Sequence, residues 1–495
     1  MLTGDGLLIR LSPASGGFSP KQLIGLCESA ARHGNGIVEV TARGSCQFRG
    51  FSPASAECFA QDCDALDIVV RTGVPVETSP ISGMDPLEIG DAGGLAERIR
   101  SGIDAQGLTG RLGPKVSVVI DGDGQVSLDS LAADVRLVAS RYGDAVLWQV
   151  GLGGDAETAT QLGWYDDDGA VDAALSVLAD IAGQGHDARA RDIAPSLTLS
   201  GPPSLIPPSV LPDISPSRGE IDSCDAAASP ATSAISETRS ASAISPLEGE
   251  MSGRTEGGAK DCNLIEASRI SQPSGTWHLD SGFHVLGLKG TRQALPISMP
   301  FGHIDAAVLI DLARHAEALG VIDIRPAPHR TLLLICCSFE ATKTLREQAQ
   351  KRGYVTDPSD IRMTIAACPG APACASGKIA ARDIAEEVAR SLPPNGHDLT
   401  IHISGCEKGC ARQAPSDITL VGGEKGAGLV VGGTPRQVPL AYRSAGGLAK
   451  AITAVAEKLQ GYPPSAGTKA AGKPPKTLSS AQLACLKAAF EQDGP

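Results

Sequence analysis

At ~150 residues per domain, 495 residues predict about three domains, and 42% hydrophobic content excludes a wholly disordered or fibrous chain. The formal charge of -13, from 43 basic against 56 acidic residues, argues against a duplex-binding surface, and 3% aromatic content argues against a base-stacking platform. No apolar run reaches the ~18 residues of a membrane span, and the start, Met-Leu-Thr-Gly-Asp-Gly, shows no basic-then-apolar leader, so a cytoplasmic protein without membrane or nucleic-acid partners is expected.

In chain order, LIGLCESAARHGNGIVEVTARGSCQFRGF (23–51) predicts helix, Gly-rich turn, strand, turn and strand. A helix follows at 85–103, then strands at KVSVVI (115–120) and VLWQVGL (146–152), and a closing helix over Val171–Ala182. Asp134 and Arg136 are placed to pair. From 195 to 275 the sequence is rich in Pro, Ser and Gly and holds no Phe, Trp or Tyr, so it reads as a disordered insert. LIDLARHAEALGVIDIRPAPHRTLLLICC (309–337) then repeats the first helix–turn–strand–turn–strand order. A helix is expected within 371–392, strands at LTIHIS (399–404) and DITLVGG (417–423), and a closing helix over Leu448–Leu459. The Gly-rich Gly422–Gly428 lies between two strand-like runs and reads as a hairpin turn rather than a nucleotide loop. The tail from Pro463 is flexible in composition, with a short amphipathic helix possible over Ser479–Gln492.

The pattern predicts an α+β fold of two pseudo-symmetric halves with antiparallel sheets, leaving a cleft between halves for a large ligand. Boundaries fall at 1–75 for a first half-domain, 76–194 for an α/β unit, 195–275 for the insert, 276–358 for a second half-domain, 359–462 for a second α/β unit, and 463–495 for the tail.

Thirteen cysteines in a long chain favour metal chemistry over a disulfide framework. Nine are scattered, but Cys368-x5-Cys374 is followed 32 residues later by Cys406-x3-Cys410. Two short-spaced thiolate pairs from two loops suit a cubic iron–sulfur cluster, each pair gripping one edge. Gly370, Gly405 and Gly409 let the backbone wrap closely, and Cys374 is expected to open a helix, whose amides would lower its pKa. Structural zinc is the rival, though it usually takes C-x2-C or C-x4-C pairs.

This constellation resembles the sulfite and nitrite reductase superfamily, in which it binds a 4Fe–4S cluster beside a sirohaem. The resemblance spans both halves, because that family is also an internal duplication with ferredoxin-like half-domains. The strand Thr41-Ala-Arg43-Gly-Ser-Cys-Gln47-Phe-Arg49-Gly50 is similar to the family's tetrapyrrole-contacting strand. Guanidinium forks are apt partners for a ring bearing many carboxylates. The superfamily's reductases carry a Lys-rich strand, of which Lys115 remains while Ser117 replaces the second lysine.

That thinned cationic cage, with Ile81-Ser-Gly-Met-Asp85-Pro86 and His402-Ile-Ser-Gly-Cys406, resembles the precorrin-3B synthase family of the superfamily. The resemblance implies a dioxygen-dependent monooxygenase converting precorrin-3A by C20 hydroxylation with γ-lactone formation. It also implies a 4Fe–4S cluster on the four cysteines, a mononuclear non-haem iron, and NADH as ultimate reductant through a partner reductase or ferredoxin. Thr41, Arg43, Gln47, Arg49, Lys115, Arg325 and Arg330 would bind substrate; no catalytic residue is singled out, although His329 and His402 lie nearest the motifs. Two departures stand out. Ala411-Arg412-Gln413 follows the last cysteine in place of Ala-His-Pro, and Arg325-Pro-Ala-Pro-His329-Arg330 replaces Thr-Pro-Trp-Arg. A sirohaem sulfite or nitrite reductase and a non-catalytic iron–sulfur electron carrier are the alternatives.

Overall fold

The computed structural model describes residues 2–193, 284–392, 399–444, 446–461 and 478–492. The expected insert at 195–275 and residues 463–477 of the tail lie outside the described residues. The described parts of Met1–Gly93, Asp121–Leu131 and Trp277–Pro495 form one compact unit, and those of Gly94–Ile120 and Ala132–Thr276 form another.

The chain begins with β1 (Leu2–Thr3), β2 (Gly6–Leu11), α1 (Pro20–His33), β3 (Ile37–Val40), β4 (Cys46–Phe51), α2 (Pro53–Ala65) and β5 (Val76–Thr78). Helix α1 starts where Ser19 and Gln22 form a reciprocal capping box with Pro20 in the first turn, and it ends on Arg32 and His33, which complement the helix dipole. Its apolar face, Leu23, Leu26, Cys27 and Ala30, is buried on the sheet. Phe59 of α2 packs on Phe48 and Phe51 with ring centroids 5.1 and 5.0 Å away.

The other unit holds most of α3 (Ala92–Ala105) and β6 (Val118–Asp121), with β7 (Val135–Tyr142), β8 (Ala145–Leu152), β9 (Thr160–Tyr165) and α4 (Asp167–Gln184). Strands β6, β7, β8 and β9 are neighbours in that order. Asp134 accepts from Arg189, at 2.8 and 2.9 Å, because the chain after α4 returns to the start of β7.

The first unit resumes with β10 (Leu286–Gly287), β11 (Gln293–Ser298), β12 (His303–Asp305), α5 (Ala306–Ala318), β13 (Asp323–Ala327), β14 (Thr331–Cys336) and α6 (Phe339–Lys351). Strand orders β2-β4-β3 and β11-β14-β13 are the same, so the duplication read from sequence is real in space. The two half-domains exchange edges: β12 extends the first sheet by pairing with β3, and Phe18 bridges to Ile324 of the second. Helices α1 and α5 pack together, and one core joins Leu26 and Phe48 to Leu312 and Leu334.

Then come β15 (Ile365–Ala367), α7 (Ala381–Ser391), β16 (Ile401–Ser404), β17 (Ser416–Gly423), β18 (Gly426–Gly433), β19 (Ala441–Arg443), α8 (Leu448–Gln460) and α9 (Ser480–Glu491). The expected all-antiparallel sheets are corrected here. Strands β15, β16 and β17 run parallel, and only β17–β18–β19 alternate. Parallel neighbours need a crossover, which α7 supplies between β15 and β16. Gly422–Gly428 forms the β17–β18 hairpin, Gly423 facing Gly426. Helix α9, capped by Ser479 and Gln482, buries Leu486, Ala489 and Phe490, and Arg443 ties its end down at Phe490 and Gln492. None of the described helices is long and apolar enough to cross a membrane.

Candidate metal centre

Parallel pairing is what brings the two cysteine pairs together. Ala367 of β15 lies opposite Ile403 of β16, so the chain leaves both strands at the same end of the sheet. Cys368 follows one strand directly and Cys406 follows the other by two residues. The Gly405 N–H donates to Cys368 Sγ at 3.1 Å, a bond of the kind that stabilises a cluster thiolate. A Cβ on Gly405 would meet Gly370 Cα at 2.9 Å and Cys368 Sγ at 3.4 Å, so only glycine lets the loops close.

Cys374 does not open a helix. Pro369, Pro372 and Gly377 interrupt the segment, and its amides turn inward: Cys374 N–H to the Gly370 carbonyl, Gly377 N–H to Cys374, and Lys378 N–H across to Gly405. Helix α7 begins only at Ala381. Cys410 is exposed as a residue, yet desolvation of its sulfur and then the nearby sulfurs of Cys368, Cys406 and Cys374 push its thiol up, against the lowering effect of Lys408. The other three sulfurs are thus within electrostatic reach of Cys410. Among the described residues no group of three or more His, Cys, Asp or Glu side chains is arranged to hold a single metal ion. Four thiols on two glycine-lined loops with an N–H···S bond suit a wider, cluster-sized group.

The other cysteines are bystanders. Cys46, Cys63 and Cys336 are buried, and burial pushes their thiols to about 12, 11 and 11; the buried Cys27 thiol rises as well. Cys224 and Cys262 lie outside the described residues.

The residues expected to bind substrate fall into three groups. Thr41 and the half-buried Arg43 lie in the β3–β4 turn, where the Thr41 hydroxyl accepts from the Ser45 N–H at 3.1 Å. Lys115 is exposed ahead of β6 in the other unit. The remaining four lie in the unit that also holds Thr41 and Arg43. Gln47 is buried between Arg10 and Glu39, with its amide oriented to serve both. Arg325 donates to Asp323 at 2.7 Å and to the Pro80 carbonyl at 2.8 Å.

Arg49, 4% exposed, grips Asp5 through two bonds of 2.9 and 3.0 Å and faces Glu39 at 3.6 Å. Its Nη2 also donates to the Ala373 carbonyl at 2.6 Å. Desolvation works to raise the Asp5 carboxyl, but Arg49 and Thr3 outweigh it and hold it below the usual range. Arg330 donates to the Ala411 carbonyl at 2.7 Å. Desolvation first, then the charges of Arg382 and Arg412, pull its guanidinium down to about 10, with Cys368 opposing. His329 and Arg330 both adopt left-handed backbone, at φ 61° and 63°.

Sequence reasoning missed Asp5, Glu39 and Arg382. Arg382 meets Glu39 at 2.7 Å. His402 is fully buried, neither ring nitrogen has a hydrogen-bond partner, and burial, Arg330 and Arg412 depress its pKa to about 4.

Comparison with known proteins supplies the fold and the family. The sequence model of the nitrite/sulfite reductase ferredoxin-like half domain matches residues 1–66. A solved structure, the Mycobacterium tuberculosis NirA protein, superposes with a TM-score of 0.64 at 16% identity, covering 93% of this chain and 82% of that one. Sulfite reductase [ferredoxin] 2 of Mycolicibacterium paratuberculosis (strain ATCC BAA-968 / K-10) is 27% identical over 143 residues, 27% of this chain and 26% of that protein. The fold is therefore that of the nitrite and sulfite reductases. A precorrin-3B synthase of Sinorhizobium sp is 31% identical over 495 residues, spanning 99% of this chain and 93% of the relative. The chain belongs to the precorrin-3B synthase family.

Proposed function

We propose that the chain is an oxidoreductase of cobalamin biosynthesis that converts precorrin-3A to precorrin-3B, hydroxylating C20 and closing the γ-lactone. One atom of dioxygen enters the product; the other leaves as water with two electrons and two protons. The observation that carries this reading is the near full-length similarity to a precorrin-3B synthase, joined to the four cysteines. Cys368, Cys374, Cys406 and Cys410 would hold a 4Fe–4S cluster, which when bound supplies one-electron transfer. The family-implied mononuclear iron finds no donor set among the described residues, so no step is assigned to it.

Thr41, Arg43 and Lys115 are assigned to the macrocycle's carboxylates, as the family resemblance implies, and Gln47, Arg49, Arg325 and Arg330 are assigned to shape the site through the bonds they make within the protein. The neutral His402 beside Arg330 and Arg412 keeps positive charge in this region from rising further. NADH is assigned as the ultimate reductant, delivered by a partner reductase or ferredoxin, in keeping with a sequence that holds no G-x-G-x-x-G.

The test is anaerobic purification followed by turnover of precorrin-3A with dioxygen and a reductase system. Broad cluster absorption with formation of the hydroxylactone is expected. Stoichiometric sirohaem bands would instead make the chain a sulfite or nitrite reductase, as its fold relatives suggest. An intact cluster without turnover would leave it an electron carrier.

A further inference from the structure

Two arginines, one from each half-domain, end on main-chain carbonyls directly beside cysteines. Arg49, from strand β4, donates to the Ala373 carbonyl, one residue before Cys374. Arg330, from the β13–β14 turn, donates to the Ala411 carbonyl, one residue after Cys410. We infer that Arg49 and Arg330 are positioning residues for the two cysteine loops, rather than clamps for the substrate's carboxylates. The inference rests on the reading of the four cysteines as cluster ligands.

Each arginine has a built seat. Asp5 fixes the Arg49 fork from both sides, and Glu39 closes its remaining face. The Asp5 turn itself lies on the first cysteine loop: the Gly4 N–H donates to the same Ala373 carbonyl at 3.1 Å. A Cβ on Gly4 would stand 2.9 Å from Ala375 N and 3.0 Å from Cys374 C, and closer still to the Pro372 carbonyl, so the contact tolerates only glycine. Ala373 O thus receives one main-chain and one charged donor, and the loop cannot swing without breaking both.

Arg330 is held differently. Its left-handed backbone turns the side chain over Gly302, where a Cβ would come within 2.6 Å of Arg330 Cδ. That strained conformation persists because the neighbouring turn supports it: the His329 N–H donates to the Ala42 carbonyl at 3.0 Å. The two arginines do not occupy equivalent positions of the duplication, yet each reaches one of the two loops. They also bring positive charge near the sulfurs: Arg49 lies within electrostatic reach of Cys374, and Arg330 of Cys368. Positive charge placed there would stabilise the more negative, reduced form of a cluster.

The test uses the full chain with Arg49→Ala, Arg49→Lys, Arg330→Ala and Arg330→Lys. The readouts are iron and sulfide per chain, the EPR spectrum and midpoint potential of the reduced protein, and its bleaching rate in air. After metal removal, alkylation of each cysteine is followed by mass spectrometry. Arg49→Ala should speed alkylation of Cys374 roughly tenfold, the loss of a charge-assisted bond, while sparing Cys410; Arg330→Ala should do the reverse. Both should bleach faster and shift the potential downward, and the lysine variants should recover part of each effect. If Arg49→Ala does not fold, Asp5→Asn should show the same Cys374-selective change at smaller size. Wild-type spectra and alkylation rates, with only tetrapyrrole affinity reduced, would overturn the inference and restore the clamp role. Absence of iron and sulfide from the wild type would instead break the cluster reading, while the alkylation pattern would still decide whether the arginines hold the loops.

Discussion

The segments that follow β6 and β16 occupy the same place in two copies of one topology, and only one of them carries thiols. Both copies share strand order, β6-β7-β8-β9 and β16-β17-β18-β19, and both end in a long helix, α4 and α8. They even share a side-chain device. Asp134 accepts from the Ser117 N–H at 3.0 Å, and Asp417 accepts from the Thr400 N–H at 2.9 Å, each aspartate 17 residues beyond its donor. In between, the copies part. After β6 the polar groups satisfy one another: Asp121 accepts from Leu128 and Asp123, and Asp85 takes both the main-chain and side-chain N–H groups of Gln125. After β16 the chain presents Gly405, Cys406, Gly409 and Cys410, soft donors on backbone that approaches its neighbour closely. One copy closes this position on its own polar groups, and the other places two cysteines there.

The sharpest way to break that contrast is Cys368→Ser. The change removes a thiolate but leaves a small polar group where Gly405 N–H can still donate, so the fold should survive. Iron and labile sulfide should fall to background and visible absorption should vanish, while the far-UV spectrum stays at wild type. A variant retaining full iron would show that the loops are structural.

Asp134→Ala probes the other copy. It strips a buried carboxylate from Arg189, Ser117 and Ala190, leaving a cation without its partner. A cost of about 3–5 kcal/mol is expected for losing one member of such a pair. Urea denaturation should register this, with iron content per folded chain unchanged. Asp417→Ala, whose partners are neutral and whose site is half-buried, should cost only about 1–2 kcal/mol. Equal costs would mean the two aspartates are not used differently.

Much of this was legible in the sequence, for identifiable reasons. Cysteine spacing survives any folding detail, and the helix–strand–strand periodicity of 23–51 and 309–337 is local. Parallel pairing of β15, β16 and β17 was not legible, because strands buried on both faces, such as Ile401–Ser404, lack the alternation that marks an antiparallel edge. Nor was the partner of Arg49. Asp5 lies 44 residues away and Ala373 lies 324 away, so its engagement depends on the β2–β4 register and on how the cysteine loop lands. Residue type alone suggested a clamp for Arg49; the bonds to Asp5 and Ala373 come only with the fold. The expected helix at Cys374 follows from the periodicity of α7 running back toward it, and it fails because Pro369, Pro372 and Gly377 interrupt the segment before Ala381.

An effect that appears only as pH falls concerns histidines that the folded chain alone reveals as unusual. His402 and His303 have pKa values depressed to about 4, the first by burial with Arg330 and Arg412, the second by burial and Arg382. In the unfolded chain both should titrate near 6.5. Above that pH both states are neutral and the histidines have no linkage to folding. As pH falls from about 6.5 to 4 the unfolded state takes up protons that the folded state refuses, so stability drops through that window and levels off below it. The loss is on the order of 3 kcal/mol for His402 at most. His402→Gln should therefore remove one proton from the uptake that accompanies unfolding, and the wild-type advantage over the variant should shrink as pH falls from 6.5 to 4. Urea midpoints measured across that window provide the check. A wild-type-minus-variant difference that stays constant with pH would mean that His402 takes up its proton in the folded protein as readily as in the unfolded chain.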